Sequence, residues 1–149
     1  MDTTTLYEKE VSFQADRRRA GVKLIKIISD LWYDKSIEMV LFRNQLIDRN
    51  VSDIINLHGY AAEFVGKPIS IFDSVKIAKA ILELDLPPAK LDIGKLAYEF
   101  ALEEDKYPDA KYFVIDKLKN AKNSEEIRSK DVVLYGFGRF GRLLVRELM

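Results

Sequence analysis

The residues whose types and spacing best suit chemistry are Gly136-Phe137-Gly138-Arg139-Phe140-Gly141. They follow the apolar run Val132-Val133-Leu134-Tyr135 and lead into Arg142-Leu143-Leu144-Val145-Arg146, so a G-x-G-x-x-G turn joins a strand pattern to a helical one. Each glycine then has a physical task. Gly136 permits a sharp exit from the strand, Gly138 lets a pyrophosphate approach a backbone without a β-carbon, and Gly141 lets the helix lie close to the strand. The amides of Arg139 and Phe140 face out of the helix N-terminus, where unsatisfied donors and the positive end of the dipole favour a phosphate. All six residues from Gly136 to Gly141 are candidate dinucleotide contacts. Phe140, Leu144 and Leu148 form a stripe suited to packing on a sheet, with Arg142, Arg146 and Glu147 left in water.

The elements upstream read as mainly helical. Ala20, Leu24, Ile27, Ile28 and Leu31 recur at intervals of three and four, which predicts one long helix over Tyr7 to Tyr33. Asp34 and Ser36 can cap a second helix over Ile37 to Ile47, although the Ile37, Met39, Leu41 alternation also allows a strand. A helix opening at Ser52-Asp53 carries Ile54, His58, Ala61 and Val65 and ends at Gly66-Lys67-Pro68. Another opens at Asp73, carries Val75, Ile77, Ala78, Ile81 and Leu82, and is stopped by Pro87-Pro88. Further helices cover Asp92 to Glu104 and Pro108 to Leu118, the proline being acceptable in a first turn. Five or six helices therefore precede the glycines. The polar, aperiodic stretch 120–130 reads as a linker. The resulting division is a helical domain over 1–119, the linker, and over 131–149 the first strand, glycine turn and first helix of an incomplete Rossmann-type α/β domain.

Composition removes several classes of function. Twenty-four basic residues balance twenty-four acidic ones, so no net field draws nucleic acid or an anionic membrane. The absence of cysteine removes disulfides, thiolate metal sites and a cysteine nucleophile from these residues. The amino terminus lacks the apolar core of a signal peptide, and no apolar run approaches the roughly 20 residues of a membrane span, so a soluble, cytoplasmic protein is expected. His58 shares an apolar helical face and reads as structural. Arg17-Arg18-Arg19, close to Glu8, Glu10 and Asp16, reads as a solvated face. Trp32, Tyr33 and Phe42 are expected in the core. Glu103-Glu104-Asp105 suits a solvated helix end better than a metal site. Neither a catalytic residue nor a metal ligand is expected here.

The string Gly136 to Arg142 resembles the opening of glyceraldehyde-3-phosphate dehydrogenase, where an apolar pair usually precedes Asn-Gly-Phe-Gly-Arg-Ile-Gly-Arg. Phe140 stands in place of the isoleucine and Tyr135 in place of the asparagine. The stretch Leu31 to Arg49 resembles the helical extension of a longer bacterial subgroup of that family. The resemblance implies phosphorylating oxidation of an aldehyde through a thiohemiacetal, with hydride transfer to NAD, in a homo-oligomeric glycolytic enzyme. The catalytic cysteine and its histidine partner belong to that family's later domain, and no residue here matches either. The 149 residues are accordingly expected to be an inactive amino-terminal fragment whose missing part binds the small-molecule substrate. The acidic residue that would distinguish NAD from NADP falls beyond Met149. Two alternatives belong to other classes. One is a regulatory nucleotide sensor of potassium transport proteins, which usually carry glutamine where Arg142 stands and a membrane-spanning upstream part. The other is a helical interaction domain with the glycine turn as a structural tail.

Overall fold

The computed structural model describes residues 3–119 and 133–148. The expected linker and the first two residues of the expected strand lie outside them. The architecture is mainly α with one small three-stranded sheet. Helix α1 spans Thr3–Lys35, and its predicted apolar stripe is buried from Ala20 onward, through Leu24, Ile27, Ile28 and Leu31. Burial of each of the large members contributes about 1.5–3 kcal/mol.

The segment after α1 corrects the helical expectation for 37–47. Ser36 adopts a left-handed φ of 53°, which ends α1, and the chain continues as strand β1 over Ile37–Leu41. Phe42 and Arg43 also have positive φ values, 45° and 73°, and turn the chain into the two-residue strand β2, Asn44–Gln45. Positive φ at both central positions is the geometry that suits the twist of a two-residue hairpin. Strand β3, Ala89–Asp92, completes a sheet of order β2-β1-β3. β1 pairs antiparallel with β2 and parallel with β3, in the register Ile37↔Ala89 through Val40↔Asp92. Strand pairing wins over helix because β1, as the central strand, buries Ile37, Met39, Val40 and Leu41.

The crossover from β2 to β3 is helical. Helix α2, Val51–Tyr60, is capped by Asn50, whose side chain accepts from the Asp53 amide at 2.9 Å. The short helix α3, Ala62–Val65, ends at Gly66, whose φ of 75° supplies the left-handed stop expected there. Helix α4, Ile71–Leu82, starts from Ser70 and finishes before the two prolines. Helix α5, Ile93–Leu102, is capped by Asp92, and α6, Ala110–Leu118, by Asp109. A single 3-10 turn, Glu104–Lys106, lies between the last two. α4 is the hub, packing on α1, α5 and α6, while α1 also meets α2 and β1.

Of the three aromatics expected in the core, only Phe42 is buried. Trp32 is 38% exposed and Tyr33 71% exposed, because both lie on the side of α1 away from the stripe that packs. The last described element is α7, Arg139–Leu148, which begins inside the glycine turn.

Candidate functional site

The glycine turn is built mostly from backbone. Val133 to Phe137 have no regular secondary structure, since a strand needs a neighbour to complete its ladder and none pairs with them among the described residues. Gly136 has a φ of 100°, a conformation that L side chains rarely adopt. A β-carbon on Gly141 would overlap the carbonyl oxygen of Gly136, so these two glycines hold the bend closed against each other. Gly138 differs: a β-carbon there would meet nothing within 4 Å. No contact among the described residues requires glycine at that position.

Helix α7 starts without a carboxylate in its first turn. The Arg142 amide donates to the Gly138 carbonyl at 3.1 Å, and the amides of Arg139, Phe140 and Gly141 precede it as the helix's leading donors. With Arg139 and Arg142 exposed beside them, the end of the helix is electropositive. The six candidate residues are thus gathered in one turn. The stripe expected to pack on a sheet is open instead, with Phe140 82% and Leu144 51% exposed. Tyr135 and Phe137 are exposed as well.

The helical region brings together residues that the sequence reading kept apart. His58 is buried between α2 and α4, with Nδ1 2.7 Å from the Ile54 carbonyl and Nε2 2.9 Å from Ser74 Oγ. A carbonyl only accepts, so Nδ1 carries the proton and Nε2 accepts from the serine hydroxyl. Burial pushes the His58 pKa below its ordinary value, and the nearby Arg17 charge adds to this against the pull of the Ile54 hydrogen bond. The ring is a satisfied structural histidine, as its apolar face suggested. It also forms one wall of a cleft of about 460 Å³ lined by Phe13, Arg17, Pro68, Ser70 and Phe72. Phe13 lay outside the apolar stripe read from the sequence, and nothing local in the sequence marked the meeting of Arg17 with His58.

The acidic run ends a helix, and its first member is tied to lysines. Glu103 accepts from Lys117 at 2.7 Å and from Lys106 at 3.1 Å, which holds its carboxyl below the usual range. Among the described residues no cluster of side chains could hold a metal ion. No described helix is long and apolar enough to cross a membrane.

No protein-family model matches the chain. The chain is 31% identical over 130 residues to the glyceraldehyde-3-phosphate dehydrogenase-like protein of Pseudomonas aeruginosa (strain UCBPP-PA14). The similarity reaches well beyond the glycines. It covers 85% of this chain, and since residues 120–149 number only thirty, most of it falls on the helical region. The chain spans 28% of the length of that relative.

Proposed function

We propose that the chain forms the amino-terminal part of an NAD-dependent glyceraldehyde-3-phosphate dehydrogenase, with residues 1–119 as a helical domain joined by 120–130 to the start of a Rossmann domain. One observation carries the reading: a glycine turn closed at Gly136 and Gly141 and open at Gly138 sits in a chain whose similarity to a dehydrogenase-like protein runs through the helices as well. Gly136 and Gly141 shape the bend. The open flank of Gly138 and the leading amides of α7 suit a pyrophosphate, whose charge Arg139 and the helix dipole offset. NAD, when bound, accepts the hydride.

The reaction needs a thiol nucleophile and a proton-transfer partner, and the 149 residues contain no cysteine. They hold the cofactor's phosphates in this reading and catalyse nothing alone. The test is to express the reading frame as it continues past Met149 and titrate it with NAD. NADH formation would then be followed with glyceraldehyde 3-phosphate and inorganic phosphate. Both binding and turnover are expected from the longer protein, and no turnover from the 149-residue chain. Binding without turnover would favour a nucleotide-sensing module, and failure of both would end the proposal.

A further inference from the structure

The first half of α1 lies outside the core. Leu6 to Gln14 are all exposed, Ala15 and Arg17 are half-buried, and full burial of the helix begins at Ala20. One face of this half carries a pattern of its own. Glu8, Val11, Ala15, Arg18 and Val22 follow one another at alternating intervals of three and four, the spacing of a coiled-coil seam, with Tyr7 alongside. At about 100° per residue this seam lies roughly opposite the buried stripe of Ala20, Leu24 and Leu31. Val11 and Val22 are 50% and 58% exposed, so the core does not account for them.

The charges on the seam choose the occupant. Arg19 is paired with Asp16, Glu10 accepts from Gln14, and Arg17 donates to Gln14, all within the helix. Glu8 and Arg18 have no such partner among the described residues. Ten positions apart on a rigid helix, they are about 15 Å from each other and cannot meet within one chain. We propose that this face docks on a second copy of the chain, the two α1 helices running antiparallel so that Glu8 of each faces Arg18 of the other. Val11 then faces Ala15 across the pair, and the small Ala15 lets the helices approach. A parallel pair in register would set Glu8 against Glu8 and Arg18 against Arg18, which the charges oppose.

With Glu8 facing Arg18 the two-fold axis passes beside residue 13, so the overlap that reaches Val22 runs over residues 4–22, about 28 Å of helix; the interface is small, and the dimer is weak and depends on concentration and salt. The inference is independent of the nucleotide reading, because the seam and the glycine turn share no residue.

Sedimentation velocity of the 149-residue chain from micromolar to submillimolar concentration reads the dissociation constant directly. Either Glu8→Arg or Arg18→Glu places two like-charged pairs across the interface and should weaken the dimer about tenfold or more. The double reversal Glu8→Arg/Arg18→Glu should restore the original value, because the opposite charges face each other again. Circular dichroism confirms that these surface variants keep their helix. Since the chain has no cysteine, Ser12→Cys, flanking the seam near the two-fold axis, should form a disulfide dimer on oxidation, whereas Lys26→Cys, beyond the overlap, should not. A chain that stays monomeric, single reversals without effect, or a double reversal as weak as either single would overturn the proposal.

Discussion

His58 sits where α1, α2 and α4 meet, and it resists protonation there. Its pKa in the folded protein lies below the ordinary value of 6.5, chiefly through burial. Above pH 6.5 both folded and unfolded chains carry a neutral ring. Below it the unfolded chain takes up the proton and the folded one does not, so stability falls as pH drops from 6.5 toward the lowered value. The slope is at most about 1.4 kcal/mol per pH unit. Urea denaturation on both sides of pH 6.5 should show this loss, and His58→Asn should flatten it even if the variant is less stable overall. At the glycine turn, Gly136→Ala must hold a φ of 100°, and Gly141→Ala pushes a methyl group into the Gly136 carbonyl. Each carries a strain of about 1–2 kcal/mol. In the longer protein the affinity for NAD should fall about tenfold, while the melting of the helical domain in the 149-residue chain stays where it was. A shared loss of both would show that the turn contributes to the helical fold.

Among the elements, the join between sheet and helices rests on a few side chains that bridge distant parts of the chain. Asp92 Oδ1 accepts from the Gly94 and Lys95 amides of α5 at 3.0 and 3.2 Å and from the Phe42 amide of the hairpin at 3.1 Å. Asp92→Ala leaves three donors short of a partner and should cost about 1–3 kcal/mol, measured by thermal or chemical unfolding. Lys35, in the last turn of α1, donates to the Leu82 and Leu84 carbonyls at 2.7 and 2.8 Å, where α4 ends. Lys35→Met should lose about 1.5–3 kcal/mol in the same assay, because those carbonyls favour a cation. The sequence showed the helices well because their signals are local: a spaced apolar face, an Asn, Ser or Asp cap, a stopping Gly66 or Pro87. Starts moved by two to four residues, from Tyr7 to Thr3 for α1 and to Asn50 and Ser70 as caps. The sheet was hidden for the opposite reason. β1 is stabilised by β3, about fifty positions away, and the Phe42-Arg43 turn has none of the Asn-Gly chemistry that usually announces a hairpin. What offsets the strain at Phe42 is tertiary: its ring stacks on Phe64 at 5.3 Å and lies against Gly94, where a β-carbon would strike it.

For the molecule as a whole, the buried cluster runs from Ala20 to Val114, with no member beyond the helical region among the described residues. A chain ended at Lys119 should therefore keep the circular dichroism spectrum and melting temperature of the 149-residue form, and a markedly lower melting point would show that the later residues stabilise the helices. The bend at Gly136 and Gly141 was legible because it is a property of the backbone and glycine spacing records it directly. Its surroundings were not: Phe140 and Leu144 form a stripe whose covering surface must come from other elements, and the cleft beside Arg17 and His58 depends on how α1 crosses α4.

Because α1 is a single uninterrupted rod from Thr3 to Lys35, its exposed half has no hinge of its own. Anything that seizes the outer end works a lever that first meets the body of the protein where Phe13 lies beside Phe72, and whose inner arm, Leu24 to Leu31, is clamped against β1 and α4. Sideways force on the tip is thus borne by the packing of α1 on α4, α2 and β1, and a small tilt outside becomes a smaller, stiffer displacement inside.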